Sequence, residues 1–110
     1  MEKITLFYEE RPEIKISMQV YFTESGALYF DGYDFGTLVK ELSGRSDYEY
    51  AYTVAPAETE KLYAVYNLHT GDKTGLLQMI KDNFSCNEAY SLFGKFMTDN
   101  GIVFSNFIWR

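Results

Sequence analysis

Glu13-Ile14-Lys15-Ile16-Ser17-Met18-Gln19-Val20-Tyr21-Phe22 is the stretch on which the reading of the fold turns. Ile14, Ile16, Met18, Val20 and Phe22 fall on one side; Lys15, Ser17, Gln19 and Tyr21 fall on the other. A period of two sustained over this length predicts a strand with one face buried. Upstream, residues 3–9 alternate in the same way, with Ile4, Leu6 and Tyr8 against Thr5, Phe7 and Glu9, and Glu10-Arg11-Pro12 separates the two strands. Downstream, Thr23-Glu24-Ser25-Gly26 predicts a hairpin turn into a third strand near residues 27–31. Residues 47–54 alternate again. Tyr48, Tyr50, Tyr52 and Val54 share one face, Asp47, Glu49, Ala51 and Thr53 the other, and periodicity alone does not say which is buried.

Helical signals lie between and after these strands. Asp34 can cap a short helix carrying Phe35, Leu38, Val39 and Leu42, with Gly44 just past its end. Pro56 suits the first turn of another, whose buried stripe would be Leu62, Val65 and Tyr66. A polar loop from His69 to Gly75 leads to a helix with Leu76, Leu77, Ile80 and Phe84. Ser85-Cys86-Asn87-Glu88 has capping-box spacing. It would open a helix with Leu92, Phe93, Phe96 and Met97 inward, closed by Asn100-Gly101. Residues 102–109 read as a last strand, apolar on both faces and so expected to be covered and central. The order is βββαβαααβ. It predicts a single α+β domain over residues 1–110, with a mainly antiparallel sheet of about five strands and helices packed on one face.

The chain has 110 residues, 46% of them hydrophobic and 24% charged, enough to build a core without disulfides. Its net charge of −6 argues against nucleic acid as a direct ligand, because phosphate binding needs a basic footprint. One cysteine excludes an internal disulfide and a cysteine-cluster zinc site. Met1-Glu2-Lys3-Ile4-Thr5 lacks the layout of a signal peptide, and no apolar run is long enough to span a bilayer. The expectation is a soluble, cytoplasmic domain with no membrane association.

Candidates for chemistry are few. Cys86 lies beside a predicted helix start, where a thiol is activated, but a cysteine enzyme also needs a base, and the lone His69 belongs to another loop. Asp31-Gly32-Tyr33-Asp34 lacks the spacing and closing Glu of a calcium loop and reads as a turn with a helix cap. Thr70-Gly71-Asp72-Lys73-Thr74-Gly75 lacks the glycine spacing of a phosphate loop. The expectation is no catalytic residue, no metal and no cofactor.

Charge is more informative. Residues 1–60 hold twelve acidic and five basic residues, a net of −7, whereas residues 61–110 hold four and five, a net of +1. In the acidic half, Tyr29, Tyr33, Tyr48, Tyr50 and Tyr52 accompany Asp31, Asp34, Asp47 and Glu49. Tyrosine offers an interface stiff contact area with a polar tip, and carboxylates around it attract a basic partner. The same residues could instead serve strand propensity and solubility with no partner at all.

Tyr29-Phe30-Asp31-Gly32-Tyr33-Asp34-Phe35-Gly36, followed by Val39, Gly44, Asp47-Tyr48-Glu49-Tyr50 and Thr53-Val54, resembles a pattern found in small bacterial immunity proteins. These guard cells against polymorphic or contact-dependent growth-inhibition toxins. Gly101-Ile102 and the aromatic final strand with Trp109 extend the resemblance in outline, but it is specific only over residues 28–54. The resemblance implies a non-enzymatic inhibitor of a cognate, cationic toxin such as a ribonuclease or DNase. Its partner-binding residues would be Asp31, Asp34, Asp47, Tyr48, Glu49 and Tyr50, to which the reading of tyrosines beside carboxylates adds Tyr33, with Gly32 and Gly36 serving the turn and helix entry. An acidic adaptor or a homodimer joined through a sheet edge is the alternative.

Overall fold

The computed structural model describes residues 2–37, 40–41 and 47–109. Five strands form one antiparallel sheet in the order β1 (Lys3–Arg11), β2 (Ile14–Phe22), β3 (Leu28–Phe35), β4 (Asp47–Val54), β5 (Ser105–Trp109). Three helices separate β4 from β5: α1 (Pro56–Val65), α2 (Lys73–Asn83) and α3 (Ala89–Asp99). The α+β class and the antiparallel sheet follow the sequence reading. The expected short helix through Leu38, Val39 and Leu42, with its Gly44 cap, lies outside the described residues.

The alternation of β2 fixes the two faces. Ile14, Ile16, Met18, Val20 and Phe22 are all buried, and their register places them beside Leu28 and Phe30 of β3. From β4, Tyr50, Tyr52 and Val54 join the same core. The helices cover it with Leu62, Tyr63, Leu76, Leu77, Ile80, Phe93 and Met97, and α2 lies over β1 and β2. Phe30, Tyr52, Tyr90 and Phe93 bring sheet and α3 together through their rings. Such aromatic contacts add to simple burial of apolar area.

Five expectations are corrected. A bulge between Thr5 and Phe7 shifts β1 by one residue, so Phe7 opposes Met18 on the core side and Tyr8 turns outward beside Ser17. Asp31-Gly32-Tyr33-Asp34 is not a turn with a helix cap; β3 continues to Phe35, held by eight paired positions on each side. The capping box does not form: no side chain caps α3, and the Ser85 hydroxyl donates instead to the Lys81 carbonyl. Val65 and Leu92 are exposed, because each helix turns a narrower stripe to the sheet than its apolar residues suggest. Finally, β5 is neither covered nor central. It pairs with β4 alone at the sheet's edge, and every one of its residues is exposed. The chain reaches that edge only after three helices have filled the inner face.

The helix signals otherwise hold. Pro56 occupies the start of α1, and Asp72 caps α2 by accepting from the Gly75 amide at 3.0 Å.

Candidate protein-binding surface

Helices occupy one face of the sheet, so the register makes the other face a grid of side chains. Its rows run Lys3–Tyr21–Tyr29–Thr53–Ser105, Thr5–Gln19–Asp31–Ala51–Phe107, Tyr8–Ser17–Tyr33–Glu49–Trp109 and Glu10–Lys15–Phe35–Asp47. Seven aromatic rings thus stand on a face with no helix over it among the described residues. Phe107 is 54% exposed, and Tyr8, Phe35 and Trp109 are also open to water. A grouped apolar surface of this kind marks an interaction site more often than scattered exposed residues do.

Charge divides the grid. Lys3 lies over the Tyr21 ring at 4.6 Å and Lys15 over the Tyr8 ring at 5.9 Å, so the basic groups belong to β1 and β2. On β3 and β4 the face carries Asp31, Asp47 and Glu49, and no described basic residue stands among them. Gln19 reaches Asp31 only at 3.4 Å, and none of the three carboxylates forms an ion pair among the described residues. Burial, and then the fields of Asp47 and Glu49, push the Tyr33 hydroxyl above its usual range; burial, Asp31 and Glu49 do the same at Tyr29. Both hydroxyls are therefore hydrogen-bond donors at neutral pH. Tyr33 and Phe35 stack with centroids 6.3 Å apart and ring planes 10° from parallel.

The seven residues expected to bind a partner separate into two groups. Asp31, Tyr33, Asp47 and Glu49 meet on the open face. Asp34, Tyr48 and Tyr50 lie on the helix side of the same strands. Tyr50 is only 4% exposed and is removed from any open docking surface. Its hydroxyl donates to Asp34 Oδ1 at 2.6 Å. Burial pushes the Asp34 carboxyl above its ordinary value, partly opposed by that hydrogen bond, while burial and the Asp34 acceptor push the Tyr50 hydroxyl far up.

Gly32 is the seat of this arrangement rather than a turn residue. A Cβ at Gly32 would fall within the Tyr50 ring, and one at Gly94 on α3 would meet the Tyr52 hydroxyl. Gly32→Ala is expected to cost about 2 kcal/mol, because the ring must leave its place in a packed core and give up its bond to Asp34. Urea unfolding checks this. An unchanged midpoint with unchanged Tyr50 ring resonances would remove the seat from the account.

Sequence reasoning missed Phe35, Phe107 and Trp109 as members of the face. Phe35 falls in a predicted helix, and Phe107 and Trp109 in a strand apolar on both faces, so no local signal marks them as members of an open face. Cys86 and His69 share no hydrogen bond, and among the described residues no group of three His, Cys, Asp or Glu side chains is placed to hold a metal ion. A cavity of about 490 Å³ lies between Phe22 and Leu77. Its rim mixes Glu2 and Glu24 with Lys73, so it favours no single charge. No helix among the described residues is long and apolar enough to cross a membrane. No known protein family, curated protein or solved structure matches the chain.

Proposed function

We propose that this chain is a non-enzymatic immunity protein that binds and neutralises a basic, nuclease-type toxin in the cytoplasm. The docking surface is the open face of the sheet. One observation carries the reading: Asp31, Asp47 and Glu49 stand unpaired by any described cation in a field of exposed aromatic rings. A nuclease must be cationic to hold its substrate, so an acidic surface can occupy the same groove. Aromatic rings supply the desolvated anchors, and the carboxylates supply rate and orientation. A tight interface takes about 800 Å² from each partner. That is roughly an eighth of the 6341 Å² of surface here, within reach of one sheet face.

The test is co-expression with the toxin domains encoded beside this gene. The expected result is that one neighbour arrests growth alone, is tolerated with this chain, and copurifies with it. If no neighbour is toxic, or none copurifies, the reading fails.

A second reading, a homodimer or an unrelated adaptor, is favoured by the β5 edge. The β1 edge is blunted by its bulge and by Lys3, Glu9, Glu10 and Arg11, whereas β5 presents Phe107, Ile108 and Trp109 with no such protection. Sedimentation equilibrium separates the two, since a strict monomer eliminates the homodimer.

A further inference from the structure

Behind the open face, where β3 ends and β4 begins, a recess of about 180 Å³ lies between the sheet and the start of α3. Met18 forms part of its floor; Asp34, Tyr48, Tyr50 and Tyr90 surround it, with Asn87 and Ser91 at its exposed rim. The Tyr48 and Tyr50 rings sit 5.3 Å apart, and Tyr50 meets Tyr90 edge-on at 4.8 Å. Among the described residues Asp34 is the only charged group in this lining. Tyr50 is its one hydrogen-bond partner among the described residues, and it forms no ion pair there. A half-buried carboxylate with no described cation beside it is an incomplete electrostatic arrangement.

We propose that this recess receives one guanidinium or ammonium group, carried on an arginine or lysine side chain of the protein partner. The inference rests on the reading of that partner as a basic protein, and it adds an anchor point to it. Three features select this chemistry. The carboxylate supplies the counter-charge and a charge-assisted acceptor. The tyrosine rings offer faces that attract an organic cation. A divalent metal ion would demand several oxygen ligands, and the described lining of the recess holds a single carboxylate. Asp34 also alternates along β3 with Tyr33 and Phe35 of the open face, so both features share one end of the sheet. A partner that wraps this end touches both.

The recess is tested apart from any toxin, by titrating the intact labelled chain with butylguanidinium and with its uncharged analogue butylurea, read by NMR. Butylguanidinium should give saturable shifts at Gly32, Asp34, Tyr48 and Tyr90. Butylurea should bind about tenfold more weakly or not at all. Asp34→Asn keeps an acceptor for Tyr50 and should weaken butylguanidinium by about tenfold. Should that variant fail to fold, Tyr48→Leu should weaken it several-fold by removing a ring. Glu24→Lys, exposed in the turn between β2 and β3 at the other end of the sheet, should leave the titration within about twofold. Equal binding of butylurea, shifts centred on Asp47 and Glu49, or no saturation by about 100 mM overturns the proposal. If the toxin reading fails while butylguanidinium still saturates, the recess remains a cation site and only its partner is lost. If a toxin binds and the recess stays silent, this inference alone falls.

Discussion

Phe93→Ala is expected to lower stability by about 4 kcal/mol. Phe93 is fully buried and stands at the junction of both layers. Its ring stacks on Phe30 of β3 at 5.8 Å, meets Phe84 edge-on at 5.2 Å, and lies 6.2 Å from Tyr52 and 6.4 Å from Phe96. Alanine removes apolar contact with all four and leaves a space that rigid neighbours cannot fill. A domain of this size has about 5–15 kcal/mol in total, so the loss is a large share of it. Leu92→Ala, one residue earlier, is the control. Leu92 is 46% exposed, and its truncation should change stability by no more than about 0.5 kcal/mol. Urea midpoints at equal slope measure both. If the two variants shift alike, the ring cluster does not hold α3 to the sheet.

That adjacent pair also shows where sequence reading stops. Leu92 and Phe93 both lie on the apolar side of one helical pattern, and only the position of the sheet decides which is covered. The strands follow the same logic. In β2 one face is wholly apolar and the other mostly polar, so burial sorted the faces without ambiguity. In β4 the choice lay between tyrosines and a set containing Asp47 and Glu49; the tyrosines went inside because Gly32 and Gly94 leave room for their rings. That room is made by residues far apart in sequence and leaves no local pattern. The bulge in β1 is similarly silent, since one inserted residue preserves composition while inverting every later side chain. At β5, the apolar run predicts a cover, yet all five of its residues are exposed. The strand is instead the last to join, and its exposed rings extend the open face. Of the candidate site, the acidic half of the face was legible because charge density survives in sequence. Its separation from Asp34 and Tyr50 was not, because residues alternating along one strand are neighbours in sequence and on opposite faces in space.

The same separation gives the electrostatic prediction its force. Asp47→Lys/Glu49→Lys should slow association with a basic partner by about ten- to a hundredfold at low salt and flatten its dependence on ionic strength. The two side chains stand on one face of β4, opposite Phe35 and Tyr33, with no described basic residue beside them, so their field reaches an approaching cation unneutralised. Both exchanges reverse a sign, which replaces attraction by repulsion at the point of encounter. Screening confines the effect: at about 1 M salt the Debye length is roughly 3 Å, and mutant and parent rates should converge. Folding should be nearly unaffected, because neither carboxylate forms an ion pair among the described residues that the change would break. Net charge alone could mimic the result, so a second double variant is needed. Glu60→Lys/Asp82→Lys alters the total charge equally, at exposed positions on α1 and α2. If local geometry governs the encounter, that variant should slow association by no more than about twofold, since its charges lie on the helical layer with the sheet between them and the open face. Stopped-flow association over a salt series reads both. Equal slowing by the two variants would reduce the acidic face to a contribution to net charge, and no slowing by either would take the open face out of the interface.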